Sequence, residues 1–428
     1  MNVVIASPLF KRNIRNDPFY KAPSGFKKAK EGTVFRIRKA PNPIAFLSAF
    51  PQNIKDVYQI LYRTTDGLGQ PTVTVTTLMV PYNADTSKLV SYQVMQDSSS
   101  PECGPSQALQ QGDGLRGIVT QAELLYMDTL LGRGWYVNVP DYESFGGYFG
   151  VGAMAGHAVL DSVRAVLASS KTTKIKKNAD IQLWGYSGGA IASGWASQLK
   201  ESYAPELNII GAVIGGTPAN LNSTLSKLDG GPYSGFALAG INGLANQYKD
   251  ASKYLDSILK PNKKNEFYKA NDLCLAQLLP QYPFKDMSSY FTRADYLNDP
   301  IADKVLNQNI MGKLKPPKFP LFMYHAEKDQ VVPYAPASTL YQKWCKDGGN
   351  IHFVKDKLSE HIILFVTGAA NAINFLTDRF DNKTFAPGCS SRTTATSILD
   401  PGAIATFGEV IFELLGALLR LPIGPNNL

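Results

Sequence analysis

The sequence predicts an α/β protein: a mostly parallel sheet with helices on both faces and a helical segment inserted before its last strands. Three observations carry this. Short apolar runs alternate with helical patterns along much of the chain, and a glycine-flanked serine stands where one such strand meets a helix. Between residues 220 and 312 the strand pattern stops and helix-like spacing with polar faces takes over.

The elements follow in order. "VYQILYRTTD" and "TVTVTTLMVP" (57–81) alternate with period two and read as antiparallel strands. Buried strands are expected at "LVSYQVMQ" (89–96), "WYVNVPDY" (135–142), "IQLWGY" (181–186), "IIGAVIGG" (209–216), "FPLFMYHA" (319–326) and "IHFV" (351–354). Helical patterns at 121–134, 156–170 and 190–203 separate several of them. This β-α-β-α order implies a parallel sheet whose chemistry sits at the carboxyl ends of its strands. The division expected is a core of 1–219 and 313–428, with a helical cap at 220–312 over that edge. The tail "AIATFGEVIFELLGALLR" (403–420) places Glu409, Glu413 and Arg420 on one helical stripe. It reads as a terminal helix on the core, or as a flap or surface that meets an oil–water interface.

Composition narrows the class. A chain of 428 residues with 44% hydrophobic content is ordered and globular. Its net charge of +8 is scattered, with no aromatic-basic module, which argues against nucleic acid and for a solvated surface. Cys103, Cys274, Cys345 and Cys389 form no metal-ligand spacing, and no cofactor or metal is expected. They allow two disulfides in three connectivities. With sequons at Asn222 and Asn382, the even count favours a secreted, glycosylated chain. The start, "MNVVIASPLFKR", is a poor signal peptide, a truncated or replaced leader, in which Lys11-Arg12 reads as a processing site or a surface pair. No apolar run is long enough to span a membrane.

The chemistry centres on Ser187. Gly185-Tyr186-Ser187-Gly188-Gly189 is the chain's one G-x-S-x-G, and its strand-then-helix context is that of a sharp turn lifting a nucleophilic hydroxyl off the sheet edge. A serine hydroxyl needs a base, and there are four histidines. His157 lies in a helix, His325 inside a strand and His352 in the last strand; His361 follows that strand and is the base expected, with His352 as fallback. The acid belongs after the preceding strand, where Asp329 is preferred to Glu327. An oxyanion hole should use the N–H groups of Gly188 and of Asp97, just past the strand 89–96.

With these residues placed, the chain resembles the fungal secretory lipase family. "DPFYKAPSGFKKAKEGTVFRIR", "YQVMQDSSS", "GWYVNVPDYE", "GHAVLDSVRA", "GYSGGA", "YHAEKDQVVPY" and "SEHI" carry the resemblance in order along nearly the whole chain. It implies an α/β-hydrolase fold with a helical cap and a C-terminal flap, and cleavage of acylglycerol and fatty esters, often with transacylation to alcohols; a secreted monomer acting on lipid at an oil–water or membrane interface is expected, with the oligomeric state left open. It also implies the oxyanion pair Asp97 and Gly188, and disulfides Cys103–Cys274 and Cys345–Cys389. Alternatives from the same residues are a short-chain carboxylesterase, an acyltransferase, or a hydrolase-like binding protein without activity.

Overall fold

A computed structural model describes residues 14–425; the leader and the Lys11-Arg12 pair lie outside the described residues. Strands β1 (Val34–Lys39), β2 (Ala45–Phe46), β3 (Phe50–Pro51), β4 (Asp56–Thr65), β5 (Pro71–Val80) and β6 (Lys88–Gln93) come first. They are followed by β7 (Tyr136–Pro140), β8 (Asp180–Tyr186), β9 (Ile209–Gly215), β10 (Leu321–Ala326), β11 (Ile351–Asp356) and β12 (Cys389–Thr394). Ten form one sheet in the order β1-β4-β5-β7-β6-β8-β9-β10-β11-β12, and β2 pairs with β3. Pairings from β1 to β7 are antiparallel, and those from β7 to β12 are parallel.

The apolar period of two splits each central strand between two cores. Ile181 and Leu183 of β8 pack with the helices Gly152–Ala168 and Gly188–Tyr203. Trp184 and Tyr186 point the other way, toward the helices Leu124–Gly132 and Ala369–Phe380. The alternation of β4 and β5 does not leave a wet face. Gln59 donates to the Ser106 carbonyl at 2.5 Å and Thr74 to the Asp141 carbonyl at 2.8 Å, so their polar side is buried as well.

Between β9 and β10 lie several helices, including Leu221–Leu228, Ser234–Gln247, Lys249–Ile258 and Pro300–Gln308. The tail forms the helix Ala403–Leu418, laid against Leu124–Gly132 and Ala369–Phe380. Besides the short pair β2 and β3, two strands of the main sheet escape the periodicity: β1 is interrupted by charge, and β12 ("CSSRTT") is an almost wholly exposed edge with no apolar face. Disulfides join Cys103 to Cys274, tying the loop after β6 to the cap, and Cys345 to Cys389, tying the helix Tyr334–Lys346 to the edge strand. Asn222 and Asn382 are both exposed. Among the described residues no helix is long and apolar enough to cross a membrane.

Candidate active site

Ser187 sits between β8 and the helix Gly188–Tyr203 with φ 53° and ψ −120°, a strained conformation for a residue with a side chain. The elbow closes because its neighbours are glycines. A Cβ on Gly185 would collide with the Gly189 carbonyl, and one on Gly189 with the Gln93 carbonyl. One on Gly188 would strike Asp97 Oδ1. The Ser187 N–H donates to the Gly215 carbonyl at 2.9 Å, anchoring the turn to the next strand.

Three groups converge there. Ser187 Oγ lies 2.8 Å from His361 Nε2, and His361 Nδ1 lies 2.6 Å from Asp329 Oδ2. The other oxygen, Asp329 Oδ1, accepts the N–H groups of Val331 (2.9 Å) and Val332 (2.6 Å). Burial by itself would raise the Asp329 carboxyl; the hydrogen bond and charge of His361 outweigh it and hold the group below its ordinary value. A hydroxyl, an imidazole and a carboxylate in this line can take a proton from the hydroxyl and keep the imidazole in the required tautomer. Glu327 is exposed and uses its N–H on Asp356, not its carboxylate on the base. His352 is exposed on β11 beside Phe385, and His157 stacks on Tyr203.

An apolar cavity opens on Ser187, Gly188 and Asp97, walled by Phe149, Ile191, Leu221 and Leu225 among others. A second lies among the helices between β9 and β10. Leu225 and Leu244 line both.

The family model described as Secretory lipase matches residues 109–388. The chain belongs to the secretory lipase family. It is 38% identical to Lipase A of Arthroderma benhamiae (96% of this chain, 89% of that protein). It is also 38% identical to Lipase 6 of Candida albicans (99% and 94%). The crystal structure of Candida antarctica lipase A in its closed state, 31% identical, superposes with a TM-score of 0.86 over 97% of this chain and 99% of that one. The fold is therefore that of an α/β-hydrolase, and the protein is a lipolytic ester hydrolase.

Several residues of this secretory lipase's site were not visible from motifs. Gln330 Oε1 accepts the His361 N–H at 2.8 Å, and Tyr186 donates to the His361 carbonyl at 2.6 Å. Gly216, at φ +52°, leaves room that a Cβ would take from the His361 ring. His325, buried in β10, places Nε2 3.4 Å from Asp329 Oδ2 and 3.1 Å from the Val332 carbonyl. Its spacing of four before Asp329 was the one available signal.

Asp97 has φ 46°, and its Oδ1 is buried without a hydrogen-bond partner. Burial pushes its carboxyl up to about 7, against the pull of His361. The loop around it rests on two more buried acids. Glu123 accepts the Met95 N–H and the Tyr92 hydroxyl, each at 2.8 Å, and burial pushes it up to about 8. Glu143 accepts the Ser98 N–H at 3.4 Å, and burial drives it well above its ordinary value.

These acids set a pH dependence of stability. Their folded pKa values lie above the unfolded ones, near 4, so the folded state keeps protons that the unfolded chain has lost. For Asp97 and Glu123 this contribution is fully present below pH 4 and is lost between there and pH 7 to 8, by at most about 1.4 kcal/mol per pH unit for each group. The melting temperature should therefore be higher at pH 5 than at pH 8, and Glu123→Gln should flatten the slope. Melting curves that rise toward pH 8, or a slope indifferent to Glu123, would contradict this.

Proposed function

We propose that this secretory lipase hydrolyses long-chain acylglycerols through an acyl-enzyme on Ser187. The observation that supports it most is the Ser187–His361–Asp329 line opening on an apolar cavity, with a second apolar cavity on the far side of Leu225 and Leu244. His361 Nε2 takes the Ser187 proton as Oγ attacks the ester carbonyl. The resulting oxyanion is held by the N–H groups of Gly188 and Asp97. The neutral Asp97 carboxyl adds no negative charge beside it in mildly acid solution. His361 then protonates the leaving alcohol oxygen, the C–O bond breaks and the acyl group stays on Ser187. Water, or an alcohol in transacylation, gives its proton to His361 and its oxygen to the acyl carbon, releasing Ser187.

The acyl chain runs along Leu221 and Leu225 and, beyond a certain length, enters the cavity between the cap helices. Two disulfides, two exposed sequons and the family's name support a secreted, glycosylated protein, acting as a monomer on lipid at an oil–water or membrane interface. Leu225→Trp is expected to cut hydrolysis of oleoyl esters by tenfold or more while leaving butyryl esters within twofold. A hydrolysis profile over acyl length measures this, and an unchanged profile would remove the cap cavity from the acyl path.

A further inference from the structure

The tail helix Ala403–Leu418 is apolar on both sides: Ala403, Val410 and Ala417 are buried against the core. Its few polar side chains turn toward the protein as well. Arg133 bonds Glu409 with two nitrogens, at 2.8 and 2.5 Å, and Thr406 Oγ1 donates to Asn374 Oδ1 at 2.6 Å. Glu413 is half-buried against Gly132. The outward side instead carries Ile404, Gly408, Ile411, Phe412, Leu415 and Leu419, spaced so that they share one face. Phe412 is 58% and Leu419 74% exposed. A surface helix ordinarily turns such a stripe to the core, and a contiguous exposed apolar face marks contact with a partner or a membrane.

The helix is also fixed in place. Ahead of its first turn, Asp400 takes both Arg392 nitrogens at 2.6 Å. Past its last turn, Asn53 donates to the Arg420 carbonyl at 3.1 Å and accepts the Ile423 N–H. The stripe runs on toward the reaction centre. The turn Ser397–Leu399 packs against both the tail helix and the helix His361–Thr367, and it exposes Leu399. Leu358, Ile362 and Ile363, on either side of His361, are exposed too.

We propose that this face, from Ile362 and Ile363 down the outward side of the tail helix, seats the enzyme on a lipid–water interface, with the helix lying in the interfacial plane. The continuity with the residues flanking His361 favours a lipid phase over a second copy of the chain, because pairing through this face would cover the rim of the site that lipid must reach. The proposal rests on the lipase reading above and adds where the substrate phase is held.

The test compares the wild-type chain with the triple variant Ile411→Ser, Phe412→Ser, Leu415→Ser, whose altered side chains are largely outside the core. Ile404→Ser with Leu419→Ser gives the same comparison should the triple variant misfold. Partition onto phosphatidylcholine vesicles should fall tenfold or more, together with the rate on emulsified triolein. Hydrolysis of dissolved p-nitrophenyl butyrate should stay within twofold. Vesicle binding equal to wild type overturns the proposal. So does a wild-type dimer in sedimentation that the variant dissolves, which would name a second copy as the occupant. Ser187→Ala, inactive, should bind vesicles as the wild type does. Vesicle binding by a wild type that leaves triolein intact would sink the lipase reading and leave the docking face standing.

Discussion

Ser187→Ala is expected to lower kcat for ester hydrolysis by about 10⁴-fold or more, some 5.5 kcal/mol in the barrier. In the proposed acyl-enzyme route the hydroxyl forms the covalent bond, so no neighbour replaces it. Alanine keeps the Cβ and the backbone at φ 53°, and the Ser187 N–H bond to Gly215 is a main-chain contact that survives. The melting temperature should therefore stay within a few degrees, and a fluorophosphonate probe that labels the wild type should leave the variant unlabelled. Turnover within tenfold of wild type, or labelling at another residue, would remove Ser187 from the reaction.

Asp329→Asn should cost nearly as much, about 10⁴-fold in kcat, and it separates the two acids in this loop. The amide oxygen would go on accepting the N–H groups of Val331 and Val332, which leaves the amide nitrogen facing His361 Nδ1. A donor there forces the imidazole proton onto Nε2, the atom that must accept from Ser187. The base is then present, in position and in the wrong tautomer. Glu327→Gln changes an exposed side chain outside this line and should leave kcat within twofold. Parallel kinetics on the two variants, with melting curves to show both are folded, decide between them; equal losses would reassign the acid.

The candidate site was largely legible because its chemistry is scarce and its chain order constrained. Four histidines, one G-x-S-x-G and one acidic loop after β10 left few combinations, and the structure brings the preferred ones together. The central strands were legible because burial on both faces writes itself as continuous apolar runs. β12 was not, since an exposed edge strand makes its ladder bonds with backbone atoms and asks nothing of "CSSRTT".

The sequence by itself determined the elbow, the chain order of Ser187, Asp329 and His361, and the alternation of strand and helix. Those depend on residue type and on spacing along a few turns or one strand. Only the tertiary structure decided that Glu123 and Glu143 underlie the loop of Asp97, that His325 reaches Asp329, and that Leu225 and Leu244 line two cavities. It also decided which side of the tail helix meets the protein. Periodicity reports polar positions among apolar ones, but which of them turn inward depends on what waits there. Here it is Arg133 and Asn374, from parts of the chain far from the tail, and they take Glu409 and Thr406 inward.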